Sequence, residues 1–371
     1  MSGRHPIVCL VRLVRIIAAL ESGGAQLGAL RVTRELARRG VATRTLAGEA
    51  TPSGLDLFAS GGVDVEVWGG RSGLQYEPSE AFAAWLEPRL QDAEVVHAHM
   101  FGGWWAAARA VPARTPLCAS EHNRLRWPAA PRSSEMRDAL RCVDRFFAHG
   151  DQARCEVLAA GLARERLVEG SSPIAGLGAS ARPGLPRPLV VYAGRLHEEK
   201  GPDLLVRALA RMQSPPAALL LGSGPLEPAL RRLIRALGLQ RTVRLAGWVA
   251  EPAPYVAAAT VAVVPSRDEA WSQSAVLAMG LGVPVVGTAV GGLRHTLANG
   301  RGLLVEPGDP EALAAGIEGV LSGRLRPDAV AGSTYAERFT VERVAGRYLR
   351  AYRELTRPGA RSDLRDRMAT T

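Results

Sequence analysis

The chain has 371 residues, 47% of them hydrophobic and 22% charged, which is long enough for two cores and too apolar for a disordered polymer. Its formal charge of +10 suits an anionic partner, but the arginines are dispersed as in "RVTRELARRG" and "RRLIRALG" without interleaved aromatics, which argues against a nucleic-acid groove and leaves soluble anions such as phosphates. The early apolar run "PIVCLVRLVRIIAAL" is broken by Arg12 and Arg15, is too short to span a bilayer and has no cleavage site after it, so a cytoplasmic protein without a transmembrane segment is expected.

In chain order, the first predicted unit is the strand "LVRIIAAL", the turn "ESGGAQLG" and the helix "ALRVTRELARRG", which Gly40 would end. The runs "DVEVWG", "AEVVHAH", "PLCASEH" and "RFFAHG" read as further strands. A Pro/Gly/Ser-rich stretch at about 170–188 reads as an interdomain linker. The pattern then restarts with "LVVYAGRL", "AALLLGSG", "VRLAGWV", "VAVVPS", "VPVVGTAVGG" and "GLLVEPGD", after which Asp309 and Pro310 would open a helix. The segment "FTVERVAGRYLRAYREL" reads as a terminal helix. Alternating strands and helices imply an α/β architecture of parallel sheets. We divide it into Rossmann-like domains at 1–172 and 186–335, with the helix at 340–357 packing back on the first.

Cys9, Cys118, Cys142 and Cys155 form no CxxC pair and have no metal-type spacing with histidine, as expected of reduced thiols. His97 and His99, two apart on a strand, are expected to face opposite sides, which disfavours a metal pair; no metal site is expected. The turn "ESGGAQLG" lacks the Gly-x-Gly-x-x-Gly spacing of a dinucleotide fingerprint, which weighs against an oxidoreductase.

Four loops follow strands of the second half: "GRLHEEKG", "GSGP", "GWV" and "PSRDEAWSQSAV". Among 46 basic side chains Lys200 is the single lysine, so its place one residue before Gly201 marks a position where a compact, rotatable ammonium is wanted rather than a planar fork. Two cations with exposed N–H groups at a helix start are what a diphosphate needs.

The stretches "AGRLHEEKG", "GSGP" and "PSRDEAWSQSAVLAMGLGVPVVGTAVGGL" resemble the retaining GT-B glycosyltransferases of family 4, and "SGGAQLGALRVTRELARRG", "VVHAH" and "SEHN" do so more loosely. "DEAWSQSAV" also looks like transferases of aminocyclitol-antibiotic pathways. The resemblance implies two Rossmann-like domains facing a central cleft and a nucleotide-sugar donor, a UDP-sugar, with no metal or other cofactor. It implies that Arg195 and Lys200 clamp the pyrophosphate, that Glu269 holds the donor hexose and that His122 contacts the donor sugar. Gly23, Gly24, Gly222 and Gly224 would approach the donor, as would the backbone of Ser272, Gln273 and Ser274. Trp248 and Val249 would lie beside the base, and Trp271 would pack under the donor. The family's second glutamate falls at Leu277, which forfeits a ribose contact worth roughly 1–3 kcal/mol.

For the acceptor, the first half offers Glu21, His99, Trp104 and Glu121, and the stretch from Ser120 to Glu135. The expected reaction is transfer of a hexose, of the glucose or N-acetylglucosamine type, to a hydroxyl of a small soluble molecule such as an aminocyclitol. A lipid or polysaccharide precursor, with peripheral membrane contact, and a catalytically silent nucleotide-sugar binder stay open. The sequence sets no oligomeric state.

Overall fold

A computed structural model describes residues 11–70, 73–122 and 131–357, with 131–133 as backbone only. The acceptor stretch over 123–130, Cys9 and the polar tail over 358–371 lie outside the described residues. The chain forms two compact units: Met1–Pro173 with Val341–Thr371, and Ile174–Thr340.

In the first unit the elements are β1 (Arg12–Leu20), α1 (Gly24–Arg38), β2 (Ala42–Ala50), α2 (Pro52–Ser60), β3 (Val65–Val67), α3 (Glu80–Leu86), β4 (Val95–His99), α4 (Phe101–Ala110), β5 (Leu117–Glu121), α5 (Pro131–Cys142), β6 (Arg145–Ala148), α6 (Asp151–Ala159) and β7 (Leu167–Glu169). The sheet runs β3-β2-β1-β4-β5-β6-β7, with every pair parallel. Strands covered on both faces have no polar alternation, and β4 and β5 are buried at every position. The strand order reverses between β1 and β4, the place where such sheets bind ligands.

The second unit contains β8 (Leu189–Ala193), α7 (Pro202–Arg211), β9 (Ala217–Leu221), α8 (Glu227–Ala236), β10 (Val243–Gly247), α9 (Ala253–Ala257), β11 (Val261–Val264), α10 (Gln273–Gly280), β12 (Val285–Thr288), α11 (Gly291–Thr296), β13 (Leu303–Val305), α12 (Pro310–Leu321) and α13 (Ala329–Glu337). Its parallel sheet runs β10-β9-β8-β11-β12-β13, reversing between β8 and β11. Asp309 accepts from Ala312 N at 3.0 Å and Pro310 opens α12, as the Asp-Pro pair predicts. The final helix, α14 (Val341–Thr356), lies against α1 and buries Val344, Tyr348, Tyr352 and Leu355.

The Pro/Gly/Ser-rich stretch is not an open linker. Ile174 is buried, its amide donates to Phe339 O at 2.8 Å, and Arg182 N donates to Pro254 O at 2.8 Å, so from Ile174 onward the segment packs on the second unit. Apolar anchors at Ile174 and Leu177 outweigh its turn-forming composition.

Candidate functional site

In the second unit, the loops after β8 and β11 flank the point of strand reversal, and they bring Lys200 to Glu269. Gly201 sits at φ +59°, and a Cβ there would stand 2.0 Å from Pro265 O, so only glycine lets the turn at 198–200 lie on the 265–269 loop. Three further straps hold it there. Arg267 N and Asp268 N donate to Glu199 O at 2.7 and 3.1 Å, and Arg267 forks onto both oxygens of Asp203 at 2.8 and 2.7 Å. Burial opposes the charge on Asp203, but the hydrogen bonds and charge of Arg267, with a backbone hydrogen bond and Arg207, together keep the carboxyl below its ordinary range.

The Lys200 ammonium donates to Glu269 Oε1 at 2.8 Å, and Ser266 Oγ donates to Oε2 at 3.2 Å. Glu269 is 7% exposed and Lys200 about a fifth exposed at its side chain. One of the three ammonium donors is thus spent on orienting a carboxylate that keeps acceptor capacity on both oxygens. The glycine pair after β12 fixes Glu269 from behind. Gly292 N donates to Glu269 O at 2.7 Å, and Cβ atoms on Gly291 and Gly292 would stand 2.2 and 2.0 Å from the carbonyls of Glu269 and Ala270. Ser272 caps α10 by accepting from Ala275 N at 3.3 Å, which leaves a helix N-terminus beside this carboxylate.

The Arg195 guanidinium pairs with Glu199, four residues on. Its backbone is pinned, because the Tyr192 hydroxyl donates to Arg195 O at 2.6 Å, and burial pushes that phenol far above its usual range so that it stays a donor. Gly222 (φ +145°) and Gly224 (φ +156°) let the loop after β9 cross the loop after β8, where Cβ atoms would stand 1.9 Å from Gly194 O and 2.5 Å from Leu196 O. Trp248 is 43% exposed, with Val249 half-buried next to it. Trp271 packs on Phe339, with ring centres 5.1 Å apart. Leu277 is buried in the apolar cluster with Ile174 and Phe339 and offers no hydrogen-bonding group.

The first unit holds an unexpected polar layer. Arg15, in the middle of β1, is wholly buried, and its Nη1 donates to His99 Nε2 at 2.8 Å. His99 Nδ1 stands 3.0 Å from His122 Nε2. His97 joins the Ser120 and Tyr352 hydroxyls, and His149 lies against His122 with ring centres 3.8 Å apart. Burial, reinforced by Arg15, holds His97 and His99 well below their ordinary range and His122 down to about 4, and burial with the neighbouring rings and Arg347 does the same for His149. The four rings are therefore neutral at pH 7.

His97 and His99 do not face opposite sides. Their rings stack at 4.5 Å, because side chains alternate along a strand and residues two apart share a face. Trp104 is fully buried between Phe101 and Phe146 and donates to Glu121 Oε2 at 3.2 Å, so it presents no ring face to an acceptor. Glu121 and His99 are likewise buried, at 1% and 3% exposure, whereas Glu21 is exposed. Gly23 and Gly24 open α1, with Gly23 as N-cap and no capping side chain. Met100, directly after β4, adopts φ +67°, a costly conformation for a side-chain-bearing residue, at the reversal point of the sheet. Among the described residues no cluster of metal-ligating side chains is found, and no helix is long and apolar enough to cross a membrane.

The sequence reading missed Arg15, Ser266, the Asp203–Arg267 fork and Gly291–Gly292. The glycine pair was visible as a signal: consecutive glycines after an apolar strand imply a close backbone approach.

Residues 187–323 match the family described as Glycosyl transferases group 1, and residues 22–168 match Glycosyltransferase Family 4. Curated relatives include the D-inositol 3-phosphate glycosyltransferases of Segniliparus rotundus, 35% identical over 191 residues (48% of this chain, 42% of that one), and of Geodermatophilus obscurus, 34% identical over 232 residues (58% and 50%). The chain spans about half the length of the curated relatives it matches. Among solved structures, Anabaena HepE in complex with UDP and glucose is similar at TM-score 0.74 and 20% identity, covering 92% of this chain and 99% of that one. Sucrose-phosphate synthase from Thermosynechococcus elongatus is similar at TM-score 0.70 and 21% identity, covering 93% and 99%. These likenesses give the GT-B fold.

Proposed function

Since the chain belongs to the glycosyltransferases, with a family 4 domain followed by a group 1 domain, we propose that it moves a hexosyl group from a UDP-sugar to a hydroxyl of a small cyclitol-type acceptor. The observation that carries this reading is the Lys200–Glu269 pair at the strand reversal of the second unit. As the glycosidic bond breaks, negative charge grows on the departing diphosphate. A held ammonium and a helix N-terminus stabilise that charge more than they stabilise the ground state. Lys200 takes this role, with the start of α10 beside it and no metal ion required. Glu269, anchored at both oxygens and along its backbone, accepts hydrogen bonds from the hexose hydroxyls. Arg195 joins the phosphate by leaving Glu199, an exchange of one anion for another at an exposed side chain. Trp248 and Val249 lie by the base.

In the first unit, His122 meets a sugar hydroxyl, and Gly23 and Gly24 bring N–H groups to the donor phosphate. Transfer proceeds with retention: the acceptor oxygen attacks on the face the diphosphate leaves, and its proton passes to the departing phosphate oxygen. The products are UDP and the glycoside.

Two observations support a cyclitol acceptor. The curated relatives described above are named for an inositol phosphate, and the charge of +10 favours an anionic or neutral polyol over a polycation at long range. Aminocyclitols of natural-product pathways share the ring and its hydroxyls but carry the ammonium groups that this charge opposes.

The test is thermal titration of the purified protein with UDP, GDP, ADP and NAD, followed by UDP-glucose and UDP-N-acetylglucosamine with inositol, inositol phosphate and aminocyclitols. A rise in Tm with UDP alone and release of UDP only when a cyclitol is present are expected. A response to NAD, or to no diphosphate, overturns the reading. UDP release with lipid acceptors and sedimentation with anionic liposomes would instead assign a membrane-surface substrate.

A further inference from the structure

We propose that Arg15 is a positioning residue that, through His99, fixes His122 as the Nδ1–H tautomer, so that His122 can only donate a hydrogen bond through Nδ1 to its ligand. This deepens, and its functional arm rests on, the role assigned to His122 above.

The argument is one of hydrogen-bond direction. A guanidinium has donors and no acceptor. Arg15 Nη1 lies 2.8 Å from His99 Nε2, so that nitrogen accepts and carries no proton. His99 is buried and neutral, so its one ring proton is on Nδ1. That nitrogen lies 3.0 Å from His122 Nε2, which must therefore accept. His122 is neutral as well, and its proton is on Nδ1. Two imidazoles in series thus pass a fixed polarity from the middle of β1 to the residue that follows β5.

The parallel chain through His97 has no such direction. It ends on the hydroxyls of Ser120 and Tyr352, each able to donate or accept. The chain through His99 begins directly on a cation, and Arg15 is that cation. A buried arginine is costly to desolvate, and packing alone would be served by an aliphatic side chain at this place in the strand. Its Nε and Nη2 have no hydrogen-bond partner, so satisfying its own donors does not account for it. A directed donor at His122 also selects the ligand. The group it meets must bring a lone pair, as a sugar hydroxyl does and an ammonium does not.

The experiment uses the full chain with 15N-labelled histidine and reads ring tautomers from long-range proton–nitrogen correlations at neutral pH. In the wild type, His99 and His122 should both carry the proton on Nδ1. Arg15→Met should move His99 and His122 toward the Nε2–H form, and Arg15→Lys, which keeps a buried donor, should restore the wild-type pattern. A wild-type His122 protonated on Nε2 overturns the proposal, as do unchanged tautomers in a folded Arg15→Met protein. If that variant does not fold, the wild-type spectrum alone decides. Turnover with the UDP-sugar should fall about tenfold in Arg15→Met, the size of one lost hydrogen bond, and recover in Arg15→Lys. Altered tautomers with unaltered turnover would uphold the relay and remove His122 from the donor contact.

Discussion

Lys200 shows how much a single residue choice depends on its neighbours. Arginine at this place would bring a planar fork where a small ammonium reaches Glu269 and, in the proposed reading, keeps donors for a phosphate. Lys200→Ala should abolish the Tm rise produced by UDP, which at 100 times the dissociation constant is worth about 2.7 kcal/mol in the wild type. Without ligand, the variant's Tm should stay close to that of the wild type or fall slightly, because Ser266 still holds Glu269. An undiminished UDP response in the variant would remove the lysine from the phosphate. Gly201 carries a different kind of constraint. Gly201→Ala combines φ +59° with a Cβ 2.0 Å from Pro265 O, so it should destabilise the second unit by about 1–3 kcal/mol and displace Lys200 from Glu269. Chemical denaturation measures the first effect and UDP affinity the second. A variant of wild-type stability would mean that the turn relaxes without strain.

Among the elements, the layer between β1, β4, β5 and α14 has the clearest dependence on solution conditions. His97, His99, His122 and His149 face Arg15, Ser120, Arg347 and the Tyr348 and Tyr352 hydroxyls. An unfolded histidine titrates near 6.5, whereas burial holds His122 neutral down to about 4 and the others well below 6.5. The unfolded chain therefore binds more protons below pH 6.5. The stability these rings contribute is present above that pH and is lost as pH falls toward 4, at about 1.4 kcal/mol per pH unit for each histidine. Calorimetry between pH 7 and 4.5 should show this decline, and His149→Phe should make it shallower; equal slopes would assign it to carboxylates.

This layer also marks the limit of what the sequence conveys. Central strands of the second half such as β8, β11 and β12 announce themselves as apolar runs, because a parallel strand buried on both faces has no polar alternation to disguise it. β2, "ATRTLAGEA", does not, since its polar first half lies at a partly exposed end of the sheet. Arg15 reads as an interruption of an apolar strand, because arginine is nearly always solvated. Its burial depends on His97 and His99 from β4 and on Tyr352 from a helix more than 300 residues away, none of which local pattern can pair with it.

At the scale of the whole molecule, each unit contains one strand reversal with its own cluster of polar groups. Lys200, Glu269, Ser266, the α10 start and Trp248 all belong to Ile174–Thr340, and so do the glycines that place them. The unit also has its own apolar clusters on both faces of its sheet. Its termini meet, since Ile174 bridges Thr340 and donates to Phe339 O, so excising it cuts the chain where the ends are already tied. The fragment 174–340 should therefore fold alone and bind UDP within about tenfold of the full chain, while losing transfer activity because His122 is absent. The complementary cut is asymmetric. Removing residues 341–371 takes α14 from the first unit, exposes Leu13, Leu36 and Val95 and leaves Arg15 and His97 without their cover. That truncation should unfold the first unit and spare the UDP response of the second. Hydrogen exchange resolved by segment distinguishes the two units, and loss of protection in both would show that the second unit depends on the first for its stability.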